Sequence, residues 1–120
     1  MGNSTSEEKT LLNDNTCDTV LYECVGTIYS TNYSKIEIND IFIIQLLENE
    51  LILKNDKTVY RFIYQNISSW VCSKKNTLFG FYFNIQKKTY ELFINVDNAT
   101  EISNNLHTII HKLIHFYKDL

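Results

Sequence analysis

The chain has 120 residues, with no proline and only three glycines. A glycine-rich phosphate loop therefore has nothing to be built from. Alanine occurs once (Ala99) and arginine once (Arg61), so bidentate arginine grips on phosphate or carboxylate are almost absent. Cysteine stands at positions 17, 24 and 72. An odd, widely spaced set closes no disulfide framework, and no C-x-x-C occurs. The longest apolar run, Ile41-Phe42-Ile43-Ile44, is far shorter than a membrane span. Positive charge is scarce too: eleven Lys plus Arg against fourteen Asp plus Glu leave a formal charge of −3. That sign argues against nucleic-acid binding by phosphate neutralisation.

What remains is a globular composition, 44% hydrophobic and 21% charged, on a length that suits one domain. Asn, Ile, Lys and Tyr are abundant where Ala, Arg, Gly and Pro are scarce, the mark of AT-rich codons and not of a physical need. Asn-rich chains produce glycosylation sequons by chance. Those at Asn3, Asn32, Asn66 and Asn98 are read as unused, since the N-terminal segment has no apolar h-region. Residues 1–19 read as a polar tail whose only large apolar residues after Met1 are Leu11 and Leu12. Its charged residues Glu7, Glu8, Lys9, Asp14 and Asp18 carry the whole −3, so the domain at 20–120 is neutral.

From Val20 the texture becomes short β-branched and aromatic runs separated by Asn, Asp and Lys. Strands are expected at 20–29, 35–47 (broken near Asn39-Asp40), 50–54, 58–64, 67–73, 78–85 and 89–96. Asn and Asp tolerate left-handed backbone and replace the missing glycines in the turns. Phe79, Phe81, Phe83 and Ile85 alternate with Gly80, Tyr82 and Asn84; Tyr90, Leu92, Ile94 and Val96 repeat the pattern. An antiparallel meander with one dry face follows.

A helix is expected at about 98–118. Asn98 and Glu101 fit a capping box, and Ala99, Ile102, Leu106, Ile109, Ile110, Leu113 and Tyr117 form an apolar stripe. A mostly β chain, with a seven-stranded bent sheet or barrel capped by one C-terminal amphipathic helix, has the plan of the pleckstrin-homology superfold. That superfold serves many functions.

Lipid-binding members of the superfold grip inositol phosphates with several cations from the first hairpin. Here that stretch offers only Lys35, with Lys54 and Lys57 on a neighbouring turn; these three are the candidate lipid-binding residues of an alternative, phosphoinositide-sensing reading. His107, His111 and His115 recur every four residues, a spacing that suits a shared zinc ion or a protonation switch. With no acidic or cysteine ligand beside them they read as a solvated helix face, and no metal site is assigned. Cys24 and Cys72 read as small buried hydrophobes. Trp70 and the Phe79–Phe83 group read as core and not as a base-stacking platform. No nucleophile elbow or H-E-x-x-H occurs. No catalytic residue, enzymatic activity or cofactor is expected.

The N-terminus is more specific. Met1-Gly2-Asn3-Ser4-Thr5-Ser6 matches M-G-x-x-x-[ST], which marks Gly2 for N-myristoylation. One myristoyl chain holds a bilayer only marginally, with an association constant on the order of 10⁴ M⁻¹. The acidic tail supplies no polybasic second signal. A second acyl chain, with Cys17 as the palmitoylation candidate, or a membrane-bound protein partner fills that role.

An AT-biased chain starting Met1-Gly2-Asn3, with a short acylated tail and one pleckstrin-homology-like domain, resembles the inner membrane complex sub-compartment proteins of apicomplexan parasites. The resemblance implies myristoyl on Gly2 and palmitoyl on nearby cysteines. It also implies a domain that binds proteins of the inner membrane complex or cytoskeleton, having lost its phosphoinositide ligands. The expected location is the cytoplasmic face of that internal membrane, reached through acylation and without a transmembrane segment. The expected role is a scaffold in daughter-cell assembly and polarity. Members place their cysteines within the first ten residues; here the first is Cys17.

Overall fold

The computed structural model describes residues 19–118. Seven strands, β1 (Tyr22–Thr31), β2 (Ile41–Leu46), β3 (Glu50–Lys54), β4 (Val59–Ile63), β5 (Ile67–Cys72), β6 (Leu78–Ile85) and β7 (Lys88–Asn95), precede one helix, α1 (Ala99–Lys118). All pair antiparallel in a single sheet of order β4-β3-β2-β1-β7-β6-β5, which bends without closing.

The bend is built into β1. Its first half pairs with β2, from Tyr22 opposite Leu46 to Thr27 opposite Ile41, and its second half pairs with β7. Between Ile28 and Ser30 the register with β7 shifts, and such a bulge sharpens local twist. Gly26 sits just before it, where a Cβ would meet the Ile94 side chain and come within 3.0 Å of the Asn95 carbonyl oxygen. Glycine is required there for close approach of β7.

The two halves of the sheet fold over a shared core. Phe42, Ile44, Leu46, Leu51 and Leu53 come from one half, and Phe79, Phe81, Phe83, Leu92 and Ile94 from the other; all are at most 1% exposed. Phe62 joins them edge-on, with ring centroids 5.2 Å from Phe81 and 4.8 Å from Phe83. Edge-to-face contacts of this kind add to the area buried. Ala99, Ile102 and Leu106 of α1 are fully buried, and Ile110 and Leu113 pack against the core at its margin. The helix thus lies along β5 and β6 and covers one open end.

The segment expected to begin the second strand at Lys35 is a loop over 32–40. Ile36 is buried, and Tyr33 stands edge-on to Phe83 and Tyr90 at 5.3 and 5.2 Å. The loop is clamped to β7 by Thr31 Oγ1, which donates to the Glu91 carbonyl (2.7 Å), and by Asn32 Oδ1, which accepts from the Glu91 N–H (2.9 Å). Ile36 serves as a plug while Ile38 is 56% exposed.

Turns follow the expected chemistry in part. Asn39 and Asn76 adopt φ of 76° and 65°. Asn55 Oδ1 accepts from the N–H groups of Lys57 (2.9 Å) and Thr58 (3.0 Å), an Asx turn between β3 and β4. The β6–β7 turn has φ of 50° at Gln86 and 72° at Lys87, the conformation of a type I′ hairpin.

The start of α1 is capped by two asparagines. Asn98 Oδ1 accepts from the Glu101 N–H at 3.1 Å, the expected half of a capping box. The other half is absent: the Glu101 carboxylate does not reach back but accepts from the Tyr22 hydroxyl at 3.0 Å. In its place Asn76, in the β5–β6 turn, offers its carbonyl to the Ala99 N–H and its Oδ1 to the Thr100 N–H, while its Nδ2 donates to Asn98 Oδ1. Helix start and turn are thereby locked together.

Candidate interaction surfaces

Gly2 and Cys17 lie outside the described residues. The other candidate sites fall on three surfaces of the domain.

The first is a cleft of about 450 Å³ between the 32–40 loop and the β3–β4 turn. Lys35 and Lys57 line it together with Glu37, Asp40 and Asp56. Its floor is fixed by the Tyr60 hydroxyl, which donates to the Lys35 carbonyl at 2.8 Å, and by the Asn55 turn. Lys54, the third lysine of the set, does not line the cleft. It stands opposite Ile43 and Val59 at the end of β3, half-buried on the outer face of the sheet. Two ammonium groups facing three carboxylates leave the cleft with no excess of positive charge, whereas an inositol phosphate needs several converging cations.

The second surface is the outer face of β1–β4. Residues pointing away from the core there include Val25, Ile41 and Ile63, exposed by 59%, 61% and 47%. Val25 and Ile43 stand directly opposite each other, and Ile52 lies between Gln45 and Arg61. Ile52 is only 5% exposed although it faces outward. Polar pairs cross this face between Val25 and Ile63: Gln45 Nε2 donates to the Glu23 carboxylate at 2.8 Å, and Arg61 bridges Glu50 at 2.6 Å. The apolar cluster of Val25, Ile41 and Ile43 is thereby separated from Ile63.

The third surface is the exposed side of α1, which presents His107, His111 and His115. His107 is not simply solvated: its ring meets Trp70 of β5, with centroids 6.5 Å apart. Trp70 is therefore partly covered by the helix, and the phenylalanines with which it was grouped are in the core.

The cysteines divide. Cys24 is half-buried, and burial pushes its thiol up from the ordinary range, which lowers its reactivity. Cys72 was expected to be buried but is exposed; β5 is an edge strand whose residues after Ile67 lie mostly in solvent. Asn76 was not singled out by sequence, although Asn in a short polar turn was the available signal.

Among the described residues no helix is long and apolar enough to cross a membrane. Compared with known families and curated proteins, the chain matches no family model and no curated sequence.

Proposed function

We propose that this protein is a non-enzymatic scaffold with a pleckstrin-homology-like domain, tethered to an internal membrane by myristate on Gly2 and, as a second signal, palmitate on Cys17. The fold reading is supported by the strand count, the shared bent β1 and the C-terminal helix over one open end of the sheet. By resemblance to the inner membrane complex sub-compartment proteins, its partners are membrane-skeleton proteins and its setting is pellicle assembly and polarity during division.

One observation carries the choice between protein binding and lipid sensing. The cleft at the loop end mixes Lys35 and Lys57 with Glu37, Asp40 and Asp56, while the outer sheet face presents apolar side chains. The phosphoinositide-sensing alternative draws its support from the convergence of Lys35 and Lys57 in that cleft; Lys54 adds nothing to it.

Vesicle flotation of the full chain separates the two. Unacylated protein is expected to stay unbound whether or not the vesicles contain phosphoinositides, and myristoylated protein to float weakly with either. Phosphoinositide-dependent flotation of unacylated protein, lost on Lys35→Ala/Lys57→Ala, would establish the alternative instead. A Gly2→Ala chain that kept its membrane location in cells would remove the tether.

A further inference from the structure

Among the described residues no three His, Cys, Asp or Glu side chains converge on one point, but two imidazoles do. His111 Nε2 and His115 Nε2 stand 3.1 Å apart on the exposed side of α1 as a hydrogen-bonded pair, one ring nitrogen donating to the other, and an ion would take the place of the shared proton. Two nitrogens bound at about 2.0–2.1 Å to one ion, with an angle between roughly 90° and 109°, are separated by roughly 2.9–3.4 Å. The observed separation lies inside that span.

Ring orientation selects the pair from the three histidines. The His107 and His111 rings are stacked nearly parallel, 15° apart with centroids at 5.7 Å, so their in-plane nitrogen lone pairs lie in separate planes and do not aim at a common point. The His111 and His115 rings are inclined at 73° with centroids at 4.6 Å, which turns their Nε2 atoms toward each other. His107 is held in turn by the edge of Trp70. Trp70 and His107 thus support the His111 ring from the β5 side and act as positioning residues.

The surroundings favour a particular class of ion. Among the described residues of α1 the only carboxylate is that of Glu101, near the opposite end of the helix and engaged by Tyr22. Imidazole donors suit zinc, nickel or copper and not magnesium or calcium. A pair at i and i+4 is held one helical turn apart by the backbone itself, so little ordering is left for the ion to impose.

We propose that His111 and His115 form an open two-imidazole chelate for a late first-row divalent cation. Its remaining coordination positions are free for water or for a donor from a docked protein.

The test is calorimetric titration of the full chain with Zn²⁺ and with Ni²⁺, after alkylation of the thiols so that cysteines do not compete. One ion per chain is expected. His111→Gln and His115→Gln should each abolish the binding heat, and His107→Gln should weaken binding by roughly tenfold or less, as loss of an outer-shell support does. These side chains are exposed, and glutamine is a good helix former, so an unchanged far-ultraviolet circular dichroism spectrum verifies folding of each variant. Absence of binding by the parent chain overturns the proposal. So does binding retained in both single-ligand variants, or a His107→Gln loss as large as the other two.

Discussion

The ring of Phe93 occupies the space that a side chain at Gly80 would need. The two residues are directly opposite on β7 and β6, and a Cβ at position 80 would clash with Cδ1 and Cε1 of the ring. Tyr82 then meets the other side of this arrangement edge-on, with centroids 6.0 Å apart. A glycine that would otherwise weaken the strand is covered by an aromatic neighbour and buried beneath it.

Gly80→Ala is accordingly expected to destabilise the fold by about 1–3 kcal/mol, the usual cost of overpacking. The measurement is the urea midpoint at constant slope. Phe93→Leu in the same chain should recover part of the loss, because the clash is with the ring and not with backbone. Equal losses in both backgrounds would point to glycine's conformation instead.

Asn76 combines two jobs, and two substitutions separate them. Asn76→Gly keeps the positive φ and the carbonyl that receives the Ala99 N–H but loses the side-chain contacts to Thr100 and Asn98. Asn76→Ala loses the side chain and also strains the left-handed backbone. The first should cost about 1 kcal/mol, within the range for a lost cap, and the second about 1–2 kcal/mol more. Urea denaturation of both variants gives the comparison directly.

Stability should fall in strong base. The Tyr64 hydroxyl is buried and donates to the Leu47 carbonyl at 2.6 Å. Burial raises its pKa well above the ordinary tyrosine value, and the nearby Glu50 carboxylate raises it further. Burial, with the bond to Glu101, raises Tyr22 as well. A proton held more tightly in the folded state stabilises fully below the unfolded pKa, about 10 for tyrosine. That stability is lost as pH rises from there through the folded pKa. Thermal melts from pH 8 to pH 11 should show a decline beginning near pH 10. Tyr64→Phe should shallow it, at a cost of about 1 kcal/mol at neutral pH.

The apolar strip on the outer sheet face should be nearly neutral to the fold. Val25→Thr and Ile41→Thr keep β-branching at positions that are mostly in solvent. They are expected to change stability by no more than about 0.5 kcal/mol. A larger loss, read from the same urea curves, would mean that the strip serves packing and not docking.

Much of this architecture was legible because periodicity is local. β3 and β6 begin and end where alternation and turn residues placed them, and α1 starts one residue after its expected cap. The misreadings share a cause: each depends on what lies across space. Residues 35–40 are expected in a strand, yet what fixes the loop is the cavity that Tyr33 and Ile36 fill. Cys72 has the apolar neighbours of a core residue but sits on an edge, and strand order is not written in any single strand. Glu101 had the right spacing for a capping box; Tyr22, seventy-nine positions away, competes for its carboxylate. In the same way, spacing placed the three histidines on one side of the helix, while only ring orientation separates the converging pair from the third. Lys35, Lys54 and Lys57 formed a set by proximity of turns, and the pleat of β3 turned one of them to the other face.

A sheet that stops short of closure leaves β4 and β5 each without a second strand neighbour among the described residues, and exposed edges are templates for runaway strand-to-strand growth. Both edges are guarded. β4 has five residues and carries the outward Arg61. β5 is kinked by a register shift between Ile67 and Ser69, and its exposed positions include two serines. A 3-10 turn at Tyr64–Asn66 separates the two edges, so they offer no continuous flat border. Without proline to blunt its borders, this chain has edges that are short or distorted.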